Sequence, residues 1–221
     1  MKSPQELKNE ALDALRGNWA PAVVATIVMI LIVGLLVSPA EASSFEIQSR
    51  MTLPTTLSIL TLFSAGLWFF LLINVELGYF NSFRPLVDSG DNRLTSNIFH
   101  HGFTNYWHKL GGMVLYAIII TIGFFLFIIP GIILSFAYAM VPYILDEHPE
   151  MSITDTLRAS RHMMRGHKFD LFYFWLTFIG WGILSVLTMG IGFIWLMPYY
   201  YTARVGFYND IKNLAVEGEK F

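Results

Sequence analysis

Four long uncharged apolar runs alternate with short polar segments along this chain: Gly17 to Ala40, Met51 to Val75, Leu110 to Leu145 and Leu171 to Ala203. Each of the first two is long enough for one helix of about 20 residues across an apolar bilayer core of about 30 Å. The third has thirty-six residues; as a single helix it would measure about 54 Å, so it must fold back on itself. Pro130-Gly131 is the break expected in its middle, because proline lacks the N–H and clashes with the preceding turn, while glycine permits a reversal. The fourth run has thirty-three residues and an interior Met189-Gly190-Ile191-Gly192, which predicts a second tight hairpin. The pattern reads as all-α: a polytopic membrane bundle of about six transmembrane helices in three hairpins. The alternative for the two long runs is a pair of re-entrant hairpins that dip in without crossing, which need protein cover for their backbone polar groups.

The polar segments have helical periodicity of their own. Ser3-Pro4-Gln5-Glu6 combines an N-cap, a proline at the first helical position and a capping-box glutamate, and Leu7, Ala11 and Leu15 follow on one face. Ser152 with Asp155 starts another such helix, with Ile153, Leu157, Ser160 and Met164 along one stripe. The first ends at Arg16-Gly17-Asn18-Trp19 and the other at Arg165-Gly166-His167-Lys168. Between them, Phe99, Phe103, Tyr106 and Leu110 share a face, with His101-Gly102 as a looser counterpart of the Gly-containing endings. The chain thus reads as one membrane domain of three units, about 1–83, 84–146 and 147–212, each an interfacial amphipathic helix leading into a hairpin, with a short cytoplasmic tail at 213–221. Units two and three place Pro142-Tyr143 and Pro198-Tyr199 in the second helix of the hairpin.

Charge fixes the expected sidedness. Of fourteen Lys and Arg, all but Arg50 fall on one face of this topology, which places both termini in the cytoplasm because short basic loops are retained there. Were either long run to cross only once, Arg158, Arg161, Arg165 and Lys168, or else Arg204, Lys212 and Lys220, would face outward. Composition agrees: the chain is 55% hydrophobic and 14% charged, against about 25% charged in soluble domains, and its mean hydropathy is +0.54. A net charge of -2 gives no footing for a nucleic-acid partner, and the absence of cysteine excludes disulfides and thiolate metal sites. The apolar stretch ending in Ala40-Glu41-Ala42 resembles a signal peptide, but its leading segment is too long and carries Glu6, Glu10 and Asp13, so the helix is expected to stay.

Ionisable groups at membrane depth are the first candidates for function. Arg204 falls about 20 Å inward from the outer turn and Glu76 near the cytoplasmic boundary, within reach of a snorkelling arginine, as a gate, an anion site or a plain clamp between helices. Pro130, Gly131, Pro142 and Pro198 are the candidate breaks and hinges. Arg158, Arg161, Arg165 and Lys168 form a basic amphipathic half suited to anionic headgroups, though topology alone would also place them there. His100, His101, His108, His148, His162 and His167 all fall in cytoplasmic segments, yet their spacing gives no metal-ligand pattern. Gly131, Ser135 and Ala139 make a small-residue stripe for close helix packing, within the chain or between copies. Tyr199, Tyr200 and Tyr201 lie too deep for an aromatic belt and need partners in a polar seam or a small wet cavity.

Several strings together carry a family resemblance: Ala11 to Trp19, Glu76 to Phe80, Ile129 to Ile133 leading to Met140-Val141-Pro142-Tyr143, Ser160 to Lys168, and Pro198 to Thr202. In this order they resemble the bacterial integral-membrane family called domain of unknown function 975, over nearly the whole chain. The resemblance implies a multi-pass protein of the bacterial cytoplasmic membrane with no established activity, in a family itself loosely similar to the membrane domains of some glycerophosphodiester phosphodiesterases. One departure is Phe80-Asn81-Ser82-Phe83-Arg84-Pro85, where a more strongly basic helix is expected. With no paired carboxylates, nucleophile and base, or phosphate loop, the reading favoured is a non-enzymatic scaffold or lipid and envelope-homeostasis factor. It needs no cofactor, and its expected partners are membrane lipids, other membrane proteins or a second copy. The alternative is a small carrier of amphipathic or anionic solutes; a membrane-embedded hydrolase built on the histidines ranks last.

Overall fold

Helix signals in the polar segments and the apolar runs translate into eleven helical segments and no strand among the described residues of a computed structural model. The backbone is described for residues 1–49 and 55–218, and side chains for 1–34 and 71–215. Arg50, the side chains of Ala40-Glu41-Ala42 and the beginning of the second apolar run lie outside the described residues.

Helix α1 (Pro4–Leu15) has the expected capping box: Ser3 N–H donates to Glu6 Oε2 at 2.6 Å and Glu6 N–H to Ser3 Oγ at 3.3 Å. Its apolar stripe, Leu7, Ala11 and Leu15, is buried. The chain then turns at Gly17, whose φ of +80° favours glycine, and α2 (Trp19–Ser49) leaves at 97° to α1 over its first half. α3 (Thr55–Ser89) returns beside α2, joined to it by a buried hydrogen bond of 2.7 Å between Thr26 and Tyr79. α4 (Leu94–Phe103) packs along the second half of α3, and two glycines make this approach feasible. A Cβ on Gly78 would collide with the Ile98 carbonyl oxygen, and one on Gly102 would lie 2.7 Å from the Asn74 oxygen.

The third apolar run does fold back, as α5 (Tyr106–Leu126) and α6 (Ile128–Ala137), but the break falls at Phe127 and not at Pro130-Gly131. Proline occupies the first turn of α6. A helix running through it would drive the ring into the carbonyl of Leu126, so the chain breaks upstream. Gly131 serves the hairpin by closeness: a Cβ there would sit 2.5 Å from the Phe124 ring. The run then has a second joint at 138–140 before α7 (Val141–Glu147), whose second residue is Pro142.

α8 (Ile153–Met163) is followed by another left-handed glycine, Gly166 with φ +88°, and the run after it is jointed at Thr177 between α9 (Lys168–Leu176) and α10 (Ile179–Leu187). The hairpin at Met189 to Gly192 is where the sequence puts it, with Met189 and Gly190 at positive φ and Gly192 pressed against Ser185. α11 (Phe193–Gly218) passes through Pro198 without a break, so of the two matched prolines only Pro142 lies at a joint. α11 also continues past residue 212, so the segment expected as a tail is helical through Gly218.

Three helical stretches among the described residues, Tyr106–Leu126, Ile128–Glu147 and Lys168–Leu187, are long and apolar enough to cross a membrane, and a fourth is added if α1 and the start of α2 count as one bent span. Their outward surface is apolar to a degree that water would penalise: Phe125 is 90% and Leu187 74% exposed.

Candidate functional site

The ends of α3, α4, α5, α7 and α11 meet in a cluster of charged side chains. Lys109, in the first turn of α5, is buried with 2% of its side chain exposed. Its Nζ donates to Asp146 Oδ1 at 2.5 Å and to the His101 carbonyl at 2.6 Å. Asp146 Oδ2 takes Arg84 at 3.2 Å and lies 2.8 Å from His101 Nδ1. Arg84 also reaches Glu147 at 3.2 Å, and Glu147 accepts from Tyr208 at 2.5 Å and from Lys212. Burying such charges costs several kcal/mol each by order of magnitude, offset when the groups are paired and hydrogen-bonded; each charge here has an ionic partner, and Arg84 Nε is left without a hydrogen-bond partner. Lys109 and Asp146 bracket the third apolar run, so folding that run into a hairpin brings its two ends together.

A second constellation surrounds the joint between α6 and α7. There the backbone tightens: Val141 N–H bonds to Tyr138 and Tyr143 N–H to Met140, which leaves the carbonyls of Ala137 and Ala139 without helical partners. Side chains from other helices take them. Ser160 of α8 donates to Ala137 at 3.1 Å and Arg204 of α11 to Ala139 at 3.0 Å, while Asn81 of α3 donates to the Pro142 carbonyl at 3.1 Å. The Arg204 guanidinium also lies over the Tyr143 ring, 5.7 Å from its centroid. Tyr143 in turn stacks on Tyr208 at 5.1 Å, which links the joint to the charged cluster.

Glu76 and Arg204 therefore do not pair. Glu76 is exposed on α3, whose neighbouring Val75 and Leu77 face inward, and Arg204 is spent on the freed carbonyl. The three tyrosines meet other rings: Tyr201 stacks on Phe80 at 4.6 Å and Tyr200 meets Phe178 edge-on at 5.3 Å. Tyr200 and Tyr201 close one end of an apolar groove of about 660 Å³ between α9, α10 and α11, not a polar seam. The small-residue stripe is used within the chain, Gly131 against α5 and Ala139 as the carbonyl that Arg204 holds. Of the histidines, His101 joins the charged cluster, His148 lies 3.1 Å from Glu150 and His167 3.0 Å from Asp170. A hydrogen bond from its own backbone N–H, then the one from His148, holds the Glu150 carboxyl below the usual carboxylate range. Among the described residues no three His, Asp or Glu side chains converge as metal ligands.

The basic residues of α8 and of the turn after it line an open groove of about 770 Å³ facing the end of α11. Arg158, Arg161 and Arg165 form one wall with His162, and His148 and Lys212 complete the rim. Lys168 lies outside it, at the start of α9. Lys212 is the member that sequence reasoning missed, because forty-seven residues separate it from Arg165 and only the return of α11 brings it there.

Residues 94–215 match the family model described as "Protein of unknown function (DUF975)". The chain belongs to this family. No curated protein and no solved structure gives a significant match. The matched segment includes α4 to α10 and most of α11, hence the whole basic groove, the joint between α6 and α7, and every member of the charged cluster except Arg84.

Proposed function

We propose that this protein is a six-span component of the bacterial cytoplasmic membrane, built from three similar units with both termini inside, and that it acts without catalysis as a scaffold or lipid and envelope-homeostasis factor. The observation that carries this reading is the fixed joint between α6 and α7. A carrier would use a broken helix as its moving element, but here side chains from α8 and α11 clasp the two freed carbonyls and Asn81 of α3 holds the Pro142 carbonyl beside them. The adjacent charged cluster ties α3 and α11 to α7 a second time, and such over-determined contacts favour a static platform.

The three-unit reading is supported by a shared elbow. Gly17, Asn105 and Gly166 each adopt positive φ where a short polar helix turns into an apolar one. Exposed aromatics follow two of these elbows, Trp107 at 80% and Phe169 at 83% exposure, as expected of side chains at the level of lipid headgroups.

Proteoliposomes and native membranes separate scaffold from carrier. Reconstituted protein is expected to move anionic and amphipathic solutes no faster than protein-free vesicles, while photo-crosslinkers placed at Trp107 and Phe169 recover a constant set of membrane components. Flux above background that Arg204→Gln abolishes would transfer the reading to a carrier.

A further inference from the structure

The outward face of α8 carries Arg158 and Arg161, and the turn after it Arg165; the scaffold reading leaves all three unused. Thr156, Leu157 and Ser160 dock α8 against the bundle and the buried Met164 anchors the turn after it, so Arg158 and Arg161, three residues apart on the helix, and Arg165 in the turn are held on a fixed surface. The nearby carboxylates are engaged: Asp155 with Arg158 at 3.1 Å, Glu150 beside His148, and Glu147 with Lys212, Arg84 and Tyr208. Among the described residues Arg161 and Arg165 have no carboxylate partner. The floor beneath them is apolar, formed by Ala159, Met163 and Ala215.

We propose that this groove is a binding site for a phosphoryl group. Guanidinium groups match phosphate oxygens with paired hydrogen bonds, and two of them free of internal carboxylates on one rigid wall form such a receptor. The floor sets the expected carrier of that phosphate. An apolar strip below a basic rim accommodates the glycerol and first acyl carbons of an anionic phospholipid better than it does a hydrated inorganic ion. The groove also differs from general attraction to the inner leaflet, because Lys168 carries the same charge yet stands outside it.

The proposal depends on the topology above only for which leaflet supplies the lipid. The test uses full-length protein in neutral detergent, with phosphatidylglycerol, phosphatidylcholine and inorganic phosphate as probes and native mass spectrometry as the readout. Phosphatidylglycerol is expected to bind in preference to phosphatidylcholine. The double variant Arg161→Gln/Arg165→Gln should weaken that binding about thirtyfold, with unchanged thermal unfolding since both side chains are exposed, while Lys168→Gln binds as wild type. Resistance of the bound lipid to millimolar phosphate assigns the site to headgroups; displacement by phosphate assigns it to a soluble phosphoryl ligand. Equal phosphatidylglycerol binding by wild type and double variant, an equal loss in Lys168→Gln, or no binding of either anion would overturn the site. Binding in detergent is blind to membrane orientation, so failure here leaves the topology standing, and a reversed topology leaves the binding result standing.

Discussion

Asp146 accepts from Lys109, Arg84 and His101 with 4% of its side chain exposed, and Lys109 is buried deeper still. Removing the carboxylate charge strands a buried ammonium. Asp146→Asn is therefore expected to cost about 3–5 kcal/mol in unfolding measured in detergent. Adding Lys109→Met should recover much of that loss, since an apolar replacement no longer needs a counter-ion, and strictly additive losses in the double-mutant cycle would show that the two groups are not coupled. The cluster was half legible in the sequence. Lys109 and Asp146 mark the two ends of one apolar run, and a hairpin must join them; the arrival of Arg84 from α3 and Lys212 from α11 depends on tertiary packing, which periodicity does not encode. The same limit explains Arg204, whose partner is a backbone carbonyl freed by a joint that leaves no mark in the apolar pattern.

Between elements, close backbone approach decides the packing. Gly78→Ala puts a methyl into the Ile98 carbonyl and must push α4 off α3, so a loss of about 1–3 kcal/mol is expected. Gly180→Ala, which meets nothing within 4 Å, serves as the control and should stay within about 0.5 kcal/mol of wild type. Equal effects would mean that the α3–α4 contact is not tight. Helix starts were readable from caps, as at Ser3 and Ser152, and the hairpin at Met189 to Gly192 was readable from its glycines. The break at Phe127 was displaced from its signal because a proline acts on the turn that precedes it. The elbow of the middle unit is Asn105 and not the more conspicuous Gly102 three residues earlier, because that glycine is needed against α3.

At the scale of the whole molecule, charged side chains interlock at one end of the helices while Phe125, Phe127, Leu187 and Met189 stand exposed at the hairpin turns. The run lengths and the bias of Lys and Arg lead to the expectation that the charged end faces the cytoplasm and the turns face outward. The chain has no cysteine, so single cysteines report sidedness without background. The most direct measurement is labelling of intact cells with a membrane-impermeant maleimide. Phe127→Cys and Met189→Cys are expected to react from outside, whereas Gln5→Cys, Asn92→Cys and Glu150→Cys react only after permeabilisation. Protection of the two turn positions in intact cells, or outside labelling at residues 5, 92 and 150, would contradict the six-span arrangement.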